Sequence, residues 1–398
     1  MQAPSRVMPN RRKNELRQKP TDEELAQPVG MLDLHEESGL AAIKRCGLYD
    51  QFAALTGECS EADIVSDKDG NILWADQGEL STRPEISRNA LHKLLIDNLP
   101  AGTIKWGHKL LSATSSNTAG RTETELDFGP HGKQTFDLAV GADGTWSRVR
   151  PLLTDVRPQY SGMQNINVTI RQITNKYPEL AKLIGPGSFM ALGTKHGVMS
   201  HRTSQDSARI YLMLTTGDQD FAKNSGLANM TAAQAKDLIL NDDALLGRWG
   251  ATLKELVSIA CDEESAANPG AIIDVKPLCV LPPGRSWDHK PGVTLIGDAA
   301  HVMCPWAGEG VNLALWDSLL LSEAIIKAYE AAGHNATSFQ IALAPLIKEF
   351  ELDMWARAKE KAEETVSNGE MMFGGDDGAQ AMAGLFRGAY QQIEEMQP

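Results

Sequence analysis

The chain is short of cysteine, of basic charge and of long apolar runs. Its five cysteines (Cys46, Cys59, Cys261, Cys279 and Cys304) are scattered over 398 residues and form no CxxC pair. That excludes a disulfide scaffold, shows no zinc-ligand spacing, and reads as the reduced thiols of a cytoplasmic protein. Basic residues are outnumbered, 38 Lys and Arg against 52 Asp and Glu, for a formal charge of −14. So acidic a chain repels phosphate backbones and anionic lipid, so no nucleic-acid or membrane partner is expected. No apolar run approaches the length of a spanning helix. Arg11, Arg12 and Lys13 are followed by no apolar stretch, so no secretory signal is expected. The hydrolase strings GxSxG and HExxH do not occur. A hydrophobic content of 42% excludes global disorder and is enough for a large core.

What is present reads as α/β. Residues 1–28 are a polar arm with Pro4, Pro9, Pro20 and Pro28, broken by one helical turn at 21–26, where Thr21 precedes Glu24 in capping-box spacing. Residues 39–55 carry helical spacing (Leu40, Ile43, Leu48, Phe52), with Gly47 dividing it. Strands at 62–66 and 71–74 flank a turn-rich run, which predicts a hairpin. A helix is expected over 85–98, then strands over 103–106, 110–114, 123–128 and 135–142. The last is nearly all apolar, as in a strand buried on both faces of a parallel sheet. The β-rich runs 165–173, 189–192, 197–201 and 208–215 predict a separate antiparallel sheet. Helices follow at 231–240 and 245–257, an apolar strand at 292–296, a long helix at 310–331 and a charged helix at 345–367.

Two segments carry chemistry. In the run from Thr294 to Asn312, TLIGDAAHVMCPWAGEGVN, a buried strand ends at Gly297 and Asp298 stands beyond its carboxyl end, where open α/β sheets bind ligands. Ala299 and Ala300 let a ligand approach, Pro305 fixes a turn, and Gly308 and Gly310 open a helix whose free N–H groups suit an anionic group. The plainer reading makes Asp298 a helix cap and the glycines turn formers. The second segment, from Asp137 to Arg150, reads as a buried strand, a tight Asp143-Gly144 turn and a helix start capped by Thr145 or Ser147.

Together GADGTWSRVR and GDAAHVMCPWAGEGVN resemble two motifs of the single-component FAD-dependent aromatic hydroxylases of the para-hydroxybenzoate hydroxylase type. Within that family Gly30-Met-Leu-Asp-Leu-His35, Gly70-Asn-Ile-Leu73 and Pro84-Glu-Ile-Ser-Arg-Asn89 look most similar to the tetracycline-hydroxylating branch. The resemblance implies an α/β fold: a Rossmann-like FAD-binding domain at 29–155 and 285–340, an inserted antiparallel substrate-binding domain at 156–284, and a C-terminal helix and tail at 341–398. It implies FAD contacts at Asp33, Arg88, Asp298, Gly310, Val311 and Asn312, and a bracing role for Asp143. Asp33 also reads as a cap for the helix that follows, Arg88 as a surface arginine, and Asp143 and His301 as structural. No catalytic residue and no metal site are assigned. Met190, Met199, Tyr211 and Met213 are candidate pocket residues that read equally as core, and Cys304 and Trp306 sit in the flavin loop, where they are expected to border the substrate without a catalytic role.

The implied activity is a monooxygenase that uses NADPH or NADH, FAD and O2 to hydroxylate a small aromatic or polyketide-like substrate through a flavin C4a-hydroperoxide. The family opens with a GxGxxG unit, and no GxGxxG occurs here. Ala26 stands where the closest branch places an arginine for the nicotinamide cofactor. The expectation is therefore an incomplete Rossmann-like domain, from a truncated gene model in preference to a shortened protein. The alternative function is a truncated, non-catalytic remnant with impaired FAD binding. A halogenase is disfavoured, because no WxWxIP string is present.

Overall fold

A computed structural model describes residues 18–56, 62–76, 84–118, 121–332 and 335–396. The first described element is the expected helical turn, α1 (Asp22–Leu25), closed by a full capping box between Thr21 and Glu24. Strand β1 (Met31–Asp33) leads into α2 (Gly39–Arg45) and α3 (Tyr49–Ala53), and Gly47, with φ of +70°, makes the break between them. The hairpin is β2 (Asp63–Asp67) and β3 (Ile72–Ala75).

The helix expected from residue 85 starts three residues later. Residues 85–87 instead form β4 (Glu85–Ser87), paired antiparallel with β1, and α4 (Arg88–Asp97) follows. Backbone pairing outweighs the apolar spacing here. No strand forms at 103–106, which is held between turns at Gly102 and Gly107, both at positive φ. A three-stranded meander follows, of β5 (Ser112–Thr118), β6 (Arg121–Asp127) and β7 (Lys133–Phe136). The strand expected over 135–142 is split between β7 and β8 (Ala139–Gly141). In β8 Ala139 and Gly141 are buried but Val140 is 36% exposed, so it is not buried on both faces.

The largest sheet is built from β9 (Gln159–Ile170), β10 (Ser188–Gly193), β11 (His196–Thr203), β12 (Ser207–Thr215) and β13 (Val275–Val280), with the β2–β3 hairpin added at one edge. Its order is β13-β9-β12-β11-β10-β2-β3, antiparallel except where β10 meets β2. Strand alternation sends Ile166, Val168, Ile170, Ile210, Leu212 and Leu214 to one face, where they are fully buried. At about 1.5–3 kcal/mol per buried aliphatic side chain, this face is a principal source of stability. The helices α5 (Ile173–Lys176), α6 (Pro178–Ile184), α7 (Phe221–Asn224), α8 (Ala232–Asn241) and α9 (Ala251–Ala267) belong to this part of the chain, and residues of α5, α6, α8 and α9 join that core. The helix expected at 245–257 begins only at Ala251, because Gly250 is its N-cap and residues 242–247 turn back on themselves.

Strand β14 (Val293–Leu295) pairs in parallel with β8. It runs into α10 (Asp298–His301) and then α11 (Gly310–Ala332). The C-terminal helix is longer than its charge pattern suggested: α12 runs over Ala336–Phe373 with Pro345 inside it. Pro345 removes the hydrogen bond to the carbonyl of Ile341, a residue 71% exposed, so water can serve that carbonyl instead. A last helix, α13 (Gly378–Met396), occupies the tail that carried no sequence signal. It packs on β2, β3 and β10, while α12 packs on α11.

Candidate active site

The second face of the large sheet looks toward the motif loops. Register places Asn167, Tyr211, Met199, Met190, Val65 and Trp74 side by side across six strands on that face. Three of the four sequence candidates, Met190, Met199 and Tyr211, thus stand in one row, and Met213 lies one row away, buried beneath Met372 and Phe373. Tyr211 reaches the GMLDLH segment: a β-carbon at Gly30 would lie 2.6 Å from its hydroxyl. Burial raises the Tyr211 phenol, and the charges of Arg209 and Arg88 pull it partly back.

The motif residues converge opposite this row. Asp33 closes β1, and a β-carbon at Gly308 would sit 3.7 Å from its carboxylate. It does not cap α2, whose N-cap is Ser38. Arg88 opens α4, its backbone N–H donating to Gly30 O at 3.1 Å, and its side chain is exposed. Asp298 is the first residue of α10, beyond the end of β14. It touches solvent, yet enough protein surrounds it that burial raises its carboxyl, against the opposing pull of His301, Arg88 and Arg150. The positive charge of Arg88 is thus felt at both Asp298 and Tyr211. Gly310 and Val311 begin the 23-residue α11, where the first N–H groups have no helical acceptor, and a β-carbon at Gly310 would meet nothing within 4 Å.

Asn312 is buried and stitches these parts together. Its Oδ1 accepts from His35 N at 2.9 Å, and its Nδ2 donates to Asp33 O at 3.1 Å. Gly39 is required beside it, since a β-carbon there would collide with Asn312 Oδ1. The two motif loops are joined by Arg150, whose role the sequence did not reveal. Its buried guanidinium donates to Ala299 O at 2.7 Å, Asp298 O at 3.1 Å and Thr145 O at 2.9 Å. Asp143 accepts from Arg148 N at 2.6 Å. The expected capped helix does not form: a single 3-10 turn at Arg150–Leu152 follows, its N-cap is Val149, and Ser147 Oγ accepts from Val149 N and Arg150 N. His301 donates to the fully buried Asp317 at 2.7 Å, and Asp317 also receives Gly297 N and Arg357. Cys304 is buried and its thiol is pushed up by burial, which makes it a poor nucleophile.

A polar corner lies at the edge of the sheet face. His201 Nε2 is 2.8 Å from Glu85 Oε2, and Glu85 stands opposite Asp33 in the β1–β4 pair. Asp63 is nearby, its carboxyl pushed up to about 7 by burial and then by Asp76. None of these groups shows in sequence spacing, because β2, β4 and β11 meet only in the fold. Among the described residues no cluster of His, Cys, Asp and Glu could hold a metal ion, and no helix is long and apolar enough to cross a membrane.

Residues 285–337, which span β14, α10, the flavin loop and α11, match a family model described as an FAD binding domain. Monooxygenase penA of Penicillium thymicola is 34% identical over 402 residues, covering 93% of this chain and 91% of that protein. The chain belongs to the FAD-dependent monooxygenases. Monooxygenase asqM of Emericella nidulans is 32% identical over 391 residues, with 89% and 87% covered. Solved structures share the fold of this monooxygenase. Klebsiella pneumoniae HpxO, complexed with FAD and uric acid, aligns at a TM-score of 0.66 and 16% identity over 93% of this chain and 85% of that one. The tetracycline destructase Tet(55) aligns at 0.57 and 16% identity, covering 89% and 88%. The expected mixed α/β architecture is thus the fold of FAD-dependent hydroxylases.

Proposed function

We propose that this FAD-dependent monooxygenase uses NADPH or NADH to hydroxylate a small aromatic or polyketide-like substrate, laid against the Tyr211 face of the sheet. The observation that carries this reading is the meeting of Asp33, Arg88, Asp298 and the start of α11 on one side of a cleft whose other side is the Asn167–Tyr211–Met199–Met190 row. The residues present fit FAD. Open space at Gly310 and positive φ at Gly308 admit a planar group close to the backbone. The free N–H groups of Gly310 and Val311 would hold negative charge on it. Asp298 would accept hydrogen bonds from hydroxyls, and Arg88 would balance its charge. When bound, FAD supplies the chemistry: electrons from NAD(P)H, activation of O2 and transfer of one oxygen atom by the route the resemblance implies.

The substrate side is apolar in the middle and polar at its ends. Met190 and Met199 offer an adaptable apolar wall, and Tyr211 offers a hydroxyl for orientation. The motif strings around Asp33 and Arg88 support the tetracycline-hydroxylating branch, and the reduced Cys46, Cys261, Cys279 and Cys304 support a cytoplasmic setting. The test is NADPH and NADH oxidation by the FAD-loaded chain against a panel of phenols and polyketides, with the product mass read out. The reading predicts substrate-stimulated oxidation and a product heavier by one oxygen. Oxidation that yields only hydrogen peroxide with every substrate overturns it.

A further inference from the structure

His35 lies between two carboxylates. Its Nε2 is 3.0 Å from Asp33 Oδ2 and its Nδ1 is 3.4 Å from Glu309 Oε2. The other oxygen of Glu309 receives Lys361 Nζ from α12 at 2.7 Å. A neutral imidazole has one N–H and would turn a lone pair on one of the two carboxylates. The ring is 4% exposed and Glu309 7%, so bulk water does not relieve such a contact at Glu309, while Asp33, 36% exposed, meets solvent at the cleft. Satisfying both carboxylates takes the doubly protonated ring, which gives four groups of alternating charge, Asp33, His35, Glu309 and Lys361. Burial pushes the Glu309 carboxyl up, but hydrogen bonds from His35 and Lys361 outweigh it and hold it below the usual range.

We propose that His35 is a positioning residue: as an imidazolium it holds the Asp33 carboxylate at the cleft and fastens it to Glu309 of the flavin loop and, through Lys361, to the C-terminal helix. The inference rests on the reading that this cleft takes FAD. The backbone of the same segment is already fixed by Asn312, so the ring governs the side chain of Asp33 and the flavin loop together. α12 holds that loop at further points: Asn368 donates to Trp306 O at 3.0 Å, and Trp306 packs on Phe373 at 4.8 Å. The charged groups around the ring include, among the described residues, Asp33 on its own segment, Glu309 on the flavin loop and Lys361 on α12. Beyond Asp33 lie Glu85 on β4, His201 on β11 and Asp63 on β2. A ring that loses a proton keeps only one of its two carboxylates, and the clamp opens on one side.

Two measurements on the full chain test this. Nitrogen-15 spectra of the histidine rings in the FAD-free protein, with His35 assigned by its loss in His35→Gln, should show both nitrogens protonated at about pH 7.5, well above the ordinary histidine range. A neutral, singly protonated ring overturns the proposal. Fluorescence titration with FAD from about pH 6 to 9 should show wild-type affinity falling as the ring deprotonates, while His35→Gln binds roughly tenfold more weakly with little pH dependence. Parallel pH profiles for the two proteins overturn it as well. Should His35→Gln fail to fold, Glu309→Gln serves, and the ring should then be neutral at the same pH. A wild-type chain that binds no FAD at any pH refutes the flavin reading, while the ring spectrum still decides the pairing.

Discussion

Replacing Asp63 with Asn should stabilise the protein above pH 7 and leave it unchanged near pH 4. The Asp63 carboxyl stands among Asp76, Glu85, His201 and Asp33 where β2, β4 and β11 meet. Burial, then repulsion from Asp76, pushes it from 3.8 to about 7, and His201 offsets only part of that. The folded state therefore binds this proton more tightly than the unfolded state does. Its contribution is fully present below about pH 4 and is lost as the pH climbs through 7. Three units at about 1.36 kcal/mol each set an upper bound of about 4 kcal/mol. Asparagine cannot ionise, so the variant should gain about 2–4 kcal/mol over wild type at pH 8. Urea unfolding of both proteins without FAD, at several pH values from about 4 to 8, measures the difference. The comparison must be between the two proteins. Against the upward push of burial, hydrogen bonds hold the carboxyls of Asp67, Glu263 and Glu309 low, and these destabilise the chain as pH falls. A difference between variant and wild type that does not change with pH refutes the reasoning.

Other perturbations have defined outcomes. Glu351 is fully buried and accepts from Trp287 Nε1 at 3.0 Å, Thr294 Oγ1 at 2.9 Å and His289 Nδ1 at 2.9 Å. Glu351→Leu strands three donors and should cost about 3–5 kcal/mol in urea unfolding, and a cost below about 1 kcal/mol contradicts the network. Arg150→Met removes the bonds between the two motif loops and should raise the FAD dissociation constant at least tenfold with the fold retained by circular dichroism, whereas unchanged affinity means the loops are held apart from it. Gly39→Ala drives a methyl group into Asn312, so a thermal melt should show a loss of about 2–4 kcal/mol together with weaker FAD binding, and a neutral result means α2 shifts freely.

Much of the fold was legible because strand and helix periods were clean. The runs at 165–173 and 208–215 are β-rich with little helical spacing between them, so an antiparallel sheet could be read from them, and the capping box at Thr21 and Glu24 formed as its spacing implied. Residues 85–87 were misread because their apolar spacing fits a helix equally well, and only the pairing with β1 decides. The helix α13 was missed because Gly378, Gly384 and Gly388 lower its intrinsic propensity, while its packing on β2, β3 and β10 supplies what propensity does not. At the site, Asp33, Arg88, Asp298 and Gly310 stood out because each lies within a recognisable string. Their partners did not. Lys361 reaches Glu309 from α12 and His201 on the large sheet reaches Glu85 on the β1–β4 pair, and long-range pairs of this kind leave no mark in local spacing.

The central claim is that the cleft between the start of α11 and the Tyr211 face holds FAD. Incubating the purified chain with FAD, desalting it and recording its visible spectrum tests that most directly. The account predicts about one flavin retained per chain, lost or much weakened in Asp298→Asn and Arg88→Ala, which should still fold. A colourless wild-type protein would contradict it and favour the non-catalytic remnant.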